Sequence, residues 1–288
     1  MVVEAAQAPR VVNGIPRFGD VDNYSESFGF QWNRFAATQL HPHSSERLWR
    51  ETGWTAAALA GLDILEVGSG AGRFSRVILE ETRANLYSVD YSTAVDANLR
   101  NNGTIAPDRF HLYQASIYDM PFADGSFDKV LCLGVLQHTP DFEASVRALV
   151  AKAKPGGEIV VDFYPIRGWW TKVHAKYLLR PIAKRLPNDR LLRLIERNAD
   201  WLIATHQALT RARLHALTRF LPLVDIAGTL PKTLSREELR EWTILDTFDM
   251  FSPEFDHPQR TRDVVAMFER AGAKVSHVET GLVRAIKN

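Results

Sequence analysis

Three glycines and two carboxylates between positions 66 and 90 could build a ligand-binding turn. The stretch Glu66-Val-Gly68-Ser-Gly70-Ala-Gly72 follows an apolar run and precedes a helical pattern. Glycine lets the backbone turn sharply there and lets a ligand approach where a Cβ would collide. Asp90 stands 20 residues after Gly70, at the end of the next apolar run, and its carboxylate offers paired acceptors. These residues predict a binding site at the ends of two neighbouring strands.

The surrounding elements must place these residues at one edge of a sheet. Between positions 63 and 154, short apolar runs alternate with helical patterns, which predicts βαβ units and a parallel sheet. In such sheets, ligands bind beyond the carboxyl ends of the strands. The predicted strands lie at 63–67, 85–90, 109–114, 127–133, 158–163, 273–279 and 282–286. The predicted helices lie at 73–83, at 92–101 with Ser92 as its N-cap, at 141–153 and at 257–271.

The spacing of the glycines distinguishes two families of glycine-rich turns. The dinucleotide motif would need its third glycine at position 73, where this chain has Arg73. The pattern E-x-G-x-G-x-G instead resembles the first motif of class I S-adenosylmethionine-dependent methyltransferases. The resemblance covers about residues 63–163 and includes Leu133-Gly-Val-Leu-Gln-His138-Thr-Pro-Asp141 and Lys154-Pro-Gly-Gly157. It implies an α/β, Rossmann-like class I methyltransferase fold. That fold has a seven-stranded, mostly parallel sheet with helices on both faces, here with a helical cap inserted after the fifth strand.

The resemblance also implies which residues hold S-adenosyl-L-methionine. Asp90 matches the acidic residue that binds both ribose hydroxyls, and Glu66 matches one that helps hold the methionine amino group. Ser116 stands where the family commonly has an aspartate for the adenine amino group, so its role stays open, and Ile117 would supply backbone and apolar contact. The expected cofactor-binding set is Trp32, Glu66, Gly68, Ser69, Gly70, Gly72, Arg73, Asp90, Tyr91, Ser116, Ile117, Leu133 and Gly134.

Aromatic residues upstream of the glycine turn fit a helix that covers the cofactor. Tyr24, Phe28 and Trp32 are spaced at i, i+4 and i+8 and would share one helical face, although the same spacing suits ordinary core packing. This part of the chain resembles a bacterial branch of the family that is associated with polysaccharide and secondary-metabolite pathways. The branch often begins with a small zinc ribbon. Because Cys132 is the single cysteine of this chain, we expect no metal site.

The order of the patterns predicts four regions along the chain. They are an N-terminal extension with the cofactor-covering helices at 1–60, the S-adenosylmethionine-binding core at 61–164, a helical cap at 165–247, and a return to the core through the last helix and two strands at 248–288.

The predicted cap is locally basic. From 167 to 219 it carries twelve Lys and Arg residues against three Asp and Glu. Such a cluster could attract an acceptor with phosphate or carboxylate groups, or it could be a solvated helix face. Trp169 and Trp170, with lysines nearby, also allow association with a membrane surface.

Two histidines are the candidates for proton transfer. Methyl transfer from a sulfonium is an in-line displacement, so the enzyme mainly supplies alignment, and a base is needed only for some acceptors. For a hydroxyl acceptor, His138 is the first candidate because its loop should face the methyl group, and His257 is the second. A histidine in such a loop can equally be structural.

Composition limits the range of partners. The 288 residues are 45% hydrophobic, and 35 basic against 34 acidic residues give a net charge of +1, which does not suggest a polyanion-binding protein. We find no separate basic recognition module, so nucleic acid is not an expected partner. No segment approaches the roughly 20 apolar residues of a membrane span, and the start of the chain lacks a signal-peptide pattern, so we expect a cytoplasmic protein.

The sequence therefore predicts a methyltransferase that acts on a small molecule. O-methylation of a sugar, a glycan precursor or a secondary metabolite, which could be anionic, is the first hypothesis. A non-catalytic module that keeps the S-adenosylmethionine fold is the second. An NAD-dependent oxidoreductase is the third, and Arg73 argues against it. The oligomeric state stays open.

Overall fold

The computed structural model describes residues 8–19, 23–38 and 42–288. The chain divides into two compact units. The first comprises Met1–Ile166 and Phe255–Asn288 and contains the whole sheet, and the second comprises Arg167–Glu254 and is helical.

The first unit is built on one mixed sheet. Its strand order is β1-β2-β5-β4-β3-β6-β7-β9-β8. The central pairs are parallel, whereas β1 with β2, β7 with β9 and β8 with β9 are antiparallel. The strands are β1 (Arg10–Val12), β2 (Ile15–Arg17), β3 (Asp63–Val67), β4 (Asn85–Asp90), β5 (Phe110–Gln114), β6 (Phe127–Cys132), β7 (Ala153–Asp162), β8 (Ala273–Glu279) and β9 (Leu282–Lys287).

Helices of the first unit cover the sheet, and those of the second unit form a separate helical body. The helices of the first unit are α1 (Glu26–Arg34), α2 (His43–Thr52), α3 (Arg73–Glu81), α4 (Val95–Asn102), α5 (Phe142–Lys152) and α11 (Thr261–Arg270). Those of the second unit are α6 (Ala175–Ala183), α7 (Asn188–Arg211), α8 (His215–Thr218), α9 (Ile226–Thr229) and α10 (Arg236–Phe251). None of the helices in the described parts of the chain has the length and apolar character that crossing a bilayer requires.

Alternation along β3 fixes which side chains face which helix layer. Leu65 and Val67 pack into the core cluster on one face of the sheet, and Ile64 packs into the cluster on the other face, with Val77 of α3. Because successive side chains point to opposite faces, the side chain of Glu66 shares the face of Ile64. The sequence thus directs the carboxylate of Glu66 beneath α3.

The structure confirms the predicted fold class and corrects details of it. All seven predicted strands are present, but β1 and β2 add a short hairpin, so the sheet has nine strands in the described residues. Three residues per strand leave too little period for a sequence pattern to detect. The predicted cap at Ser92 was wrong because α4 starts at Val95, and the Ser92 hydroxyl donates to Asp90 and accepts from the backbone N–H of Ala94 in the preceding turn. The predicted helix from His257 starts at Thr261.

The second unit has its own apolar core. Leu191 and Leu202 of α7 are buried, as are Leu245 and Phe248 of α10, and α7 packs against α10. A capping box opens α10, in which the Ser235 hydroxyl accepts from the backbone N–H of the third helical residue. The region boundary predicted at 247 falls inside α10, because this helix continues to Phe251.

Candidate active site

The glycine turn connects β3 to α3 in a left-handed backbone conformation. The φ angles are +77° at Gly68, +54° at Gly70 and +84° at Gly72, values that L side chains rarely adopt. A Cβ at Gly68 would overlap Val135, and one at Gly72 would overlap Asn98. At these two positions glycine is required by packing within the protein, whereas at Gly70 the nearest atoms to a Cβ would lie 3.2 Å away or more. Those atoms belong to the Trp32 indole, so a side chain packs over the centre of the turn.

Asp90 ties the end of β4 to this turn. Its Oδ2 accepts from the backbone N–H of Gly70 at 2.8 Å, and its Oδ1 accepts from the backbone N–H and the hydroxyl of Ser92 at 2.8 and 2.6 Å. Burial raises the pKa of Asp90, while the bonds from Ser92 and Gly70 oppose that rise. Oδ2 accepts one hydrogen bond within the described residues, from Gly70. A carboxylate oxygen has two lone pairs, so Oδ2 can accept a second hydrogen bond.

Glu66 lies under the turn within a buried polar network. Its Oε2 accepts from the hydroxyls of Ser75 on α3 and Ser88 on β4, the latter at 2.7 Å. Its Oε1 is buried and has no hydrogen-bond partner among the described residues. Burial raises the pKa of Glu66 from 4.5 to about 7, against the lowering effect of the two serines. Asn98 links the network to the turn by donating to the hydroxyls of Ser69 and Ser75.

The remaining residues predicted for the turn and the third strand occupy distinct surroundings. Arg73 opens α3, donates to the Ser44 hydroxyl at 3.2 Å and lies over the Phe74 ring. The Ser116 hydroxyl, just beyond β5, accepts from the backbone N–H of Tyr118 at 3.2 Å. The side chains of Ile117 and Leu133 are buried in the two core clusters, so only their backbone could meet a ligand.

The three aromatic side chains predicted on one helical face lie over three different parts of this site. The Trp32 indole lies about 3.2 to 3.4 Å from where a Cβ of Gly70 would stand. The ring of Phe28 is 5.1 Å from that of His138, and the ring of Tyr24, just before α1, is 5.4 Å from that of Tyr91. Burial raises the pKa of Tyr24, so its phenol stays protonated and can donate a hydrogen bond.

His138 is held in one tautomer by the chain segment after the second unit. It is buried, in a single helical turn at Leu136–His138, and its Nδ1 lies 3.1 Å from the carbonyl oxygen of Phe255. Because a carbonyl can only accept, Nδ1 carries the proton, and Nε2 of the neutral ring keeps its lone pair. The structure therefore gives His138 the tautomer that a general base using Nε2 requires.

His257 lies in the same segment but is exposed. Its backbone N–H donates to the carbonyl of Gln137 at 2.7 Å, and its ring stacks on Phe255 at 5.7 Å between centroids. The structure thus brings the two predicted histidines to neighbouring segments, with Phe255 in contact with both.

The sequence-based prediction missed a charged cluster beside the loop that follows β6. The carboxylate of Asp162, the last residue of β7, accepts from the backbone N–H of Gly134 and from the guanidinium of Arg47. Arg47 also donates to Glu51, at 2.9 Å. Burial opposes the charge of Arg47, yet the carboxylates of Asp162 and Glu51 raise its pKa overall. The position of Asp162 at a strand end could have identified it, whereas nothing in the sequence marks Arg47 as its partner.

Comparisons with known proteins match the segment that contains the glycine turn and Asp90 to methyltransferases. Residues 65–161 match the family described as a methyltransferase domain, about a third of the chain. A ubiquinone biosynthesis O-methyltransferase of Pseudomonas aeruginosa (strain UCBPP-PA14) is 30% identical over 135 residues, which are 44% of this chain and 56% of that protein. A tRNA U34 carboxymethyltransferase of Nautilia profundicola is 29% identical over 110 residues, 38% of this chain and 37% of that protein. The chain thus spans about half or less of the length of these curated relatives.

A solved structure confirms the fold class over nearly the whole chain. Magnesium protoporphyrin IX methyltransferase from Synechocystis PCC 6803, crystallised with bound SAH, is 14% identical with a TM-score of 0.51 and covers 92% of this chain and 96% of its own. The fold is therefore that of the class I methyltransferases, as the sequence predicted.

Proposed function

We propose that this protein is an S-adenosylmethionine-dependent methyltransferase that methylates a hydroxyl of a small molecule. The observation that carries the proposal is the left-handed glycine turn joined by Gly70 to the strand-end carboxylate of Asp90, inside the segment that matches a methyltransferase domain. In this arrangement, glycine backbone and a carboxylate with a spare lone pair meet at the carboxyl edge of parallel strands, where α/β folds bind ligands.

The polar groups of the site fit S-adenosylmethionine. The spare lone pair on Oδ2 of Asp90 would accept from a ribose hydroxyl, and the unpartnered Oε1 of Glu66 would accept from an ammonium group that reaches beneath the turn. The Trp32 indole, which packs on Gly70, would border the ligand at the turn. We assign the backbone of Ser69, Gly72, Tyr91, Ile117 and Gly134 and the side chains of Arg73 and Ser116 to the same site as proposals.

The residues of the chain would act mainly by position and by taking one proton. When bound, S-adenosylmethionine supplies a sulfonium methyl that passes to the acceptor oxygen while the sulfonium becomes a thioether. His138 would take the proton of the acceptor hydroxyl at Nε2, since the carbonyl of Phe255 keeps its proton on Nδ1. His257 is the alternative base.

The acceptor class follows from charge and from the relatives. We propose a sugar, a glycan precursor or a secondary metabolite, handled in the cytoplasm. The ubiquinone biosynthesis O-methyltransferase relative supports an oxygen acceptor. Clustered cations at 167–219 would raise the local concentration of an anionic acceptor. The tRNA-modifying relative makes RNA the main competing acceptor.

Methyl labelling of metabolite and RNA fractions tests this proposal. The protein is incubated with methyl-labelled S-adenosylmethionine and each fraction, and labelled products are identified by mass spectrometry. We expect label in a small molecule. Label in RNA alone would contradict the acceptor class, and absence of label together with absence of donor binding would favour a non-catalytic module.

A substitution at His138 tests the proposed base. His138→Ala should lower turnover by about 10²- to 10⁴-fold, the usual contribution of a general base, and spare donor binding. His277→Ala on β8, where the ring pairs with Glu279, is the matched control and should leave turnover unchanged. Unchanged turnover in His138→Ala would remove this residue from the mechanism.

A further inference from the structure

Two stretches of the second unit contain no acidic residue. No Asp or Glu occurs in residues 167–188 or 201–224, whereas these stretches hold nine Lys and Arg residues. The basic residues are Arg167, Lys172, Lys176, Arg180, Lys184, Arg185, Arg211, Arg213 and Arg219. Although Asp225 lies against His206, the two stretches themselves contribute an excess of nine positive charges to this part of the unit.

The two stretches are held side by side by Arg219. Its guanidinium donates to the carbonyls of Trp170 and Val173, at 2.6 and 3.3 Å. Its own carbonyl accepts from the backbone N–H of Ala175, at the start of α6, at 2.9 Å. The residues flanking Arg219 therefore lie next to the segment that leads into α6.

Large apolar side chains are exposed on both stretches. On α6, Leu178 and Ile182 are 67% and 68% exposed, and their i, i+4 spacing places them on one helical face. Around α8, Leu217 and Phe220 are 48% and 54% exposed. Exposed apolar side chains of this size, on two segments that Arg219 joins, indicate a surface that contacts another apolar phase.

We propose that this surface docks on a bilayer containing anionic phospholipids. The basic apolar surface consists of Leu178, Ile182, Lys184, Arg185, Leu217 and Phe220. Cationic side chains beside leucine, isoleucine and phenylalanine suit a lipid interface, in which the apolar groups enter the acyl boundary and the cations meet the phosphates. Three of the four apolar side chains, Leu178, Ile182 and Leu217, are aliphatic and have no comparable partner on RNA, where bases stack on aromatic rings such as Phe220. This inference goes beyond the proposed methyl transfer and does not depend on it.

Vesicle co-sedimentation of the 288-residue chain tests the inference. The probes are vesicles of phosphatidylcholine alone and vesicles of phosphatidylcholine mixed with phosphatidylglycerol. We expect binding to the mixed vesicles that weakens as salt is raised, and little binding to the neutral ones. Equal binding to both vesicle types, or no binding to either, would overturn the proposal.

Paired variants separate the apolar and the cationic contributions. Lys184→Ala/Arg185→Ala should weaken binding to the mixed vesicles by about 30-fold, the effect of losing two surface cations. Arg262→Ala/Lys274→Ala, which removes two exposed cations from the first unit, should have no such effect.

Leu178→Ser/Ile182→Ser should also abolish most binding, while Val278→Ser on β8 should not. Because both α6 side chains are exposed, the serine variant should keep its thermal midpoint and its donor affinity. Two results would overturn the proposal. The first is binding of RNA in place of vesicles, with an affinity that Lys184→Ala/Arg185→Ala loses and Leu178→Ser/Ile182→Ser keeps. The second is a wild-type protein that binds no vesicles but forms a dimer, which Leu178→Ser/Ile182→Ser dissociates.

Discussion

The buried carboxyl of Glu66 should make the free energy of unfolding depend on pH, and Glu66→Gln should remove this dependence. Burial raises the pKa of this carboxyl from 4.5 to about 7. At 1.36 kcal/mol per pKa unit, the shift corresponds to about 3 kcal/mol. Because the folded state holds the proton more tightly than the unfolded state, this stability is fully present below pH 4.5. It is lost as the pH rises through about 7.

Urea unfolding at a series of pH values between about 5 and 8 measures this effect. We expect the free energy of unfolding of the wild-type protein to fall by about 2.5 kcal/mol more than that of Glu66→Gln across this window. Any slope contributed by Asp90 remains in both proteins. The control is Glu80→Gln on α3, an exposed glutamate paired with Arg76, which should keep the wild-type slope. Parallel curves for wild type and Glu66→Gln would refute the account of a buried, proton-binding Glu66.

Two further substitutions test the packing around the site. Gly68→Ala should destabilise the fold by about 2–5 kcal/mol, since it adds overlap with Val135 to the cost of a positive φ. Gly61→Ala, at a similar φ of +75° with open space around it, should cost only about 1–2 kcal/mol, and equal losses in urea unfolding would contradict the overlap. Asp162→Asn should cost about 1.5–3 kcal/mol of stability and weaken donor binding, because one amide oxygen cannot replace two carboxylate oxygens. The exposed Asp124→Asn is its control, and equal effects of the two would contradict the role given to Asp162.

The central strands and the turn could be predicted from sequence because local signals determined them. The strands Asp63–Val67 and Asn85–Asp90 were predicted with the bounds that the structure gives. A continuous apolar run bounded by turn residues specifies a buried parallel strand, and glycine at alternate positions specifies a left-handed turn. The register of these two strands then places Asp90 beside the turn.

Other parts of the site depend on contacts that no local pattern records. Arg47 reaches Asp162 across 115 positions of the chain, and the Nδ1 of His138 meets a carbonyl 117 positions away. Ser92 looked like a helix cap because it precedes a helical pattern, but its hydroxyl donates to Asp90 and accepts from the backbone N–H of Ala94 in a turn before the helix. Such pairings are decided by the assembled fold.

Calorimetric titration with S-adenosylmethionine is the most direct test of the central claim, that Asp90 and the Gly68–Gly72 turn form a donor site. We expect the wild-type protein to bind, Asp90→Ala to bind roughly 10- to 150-fold more weakly, and Asp108→Ala, which removes an exposed aspartate, to bind as the wild type does. Absence of binding by the wild-type protein, or equal affinity in Asp90→Ala, would contradict the account.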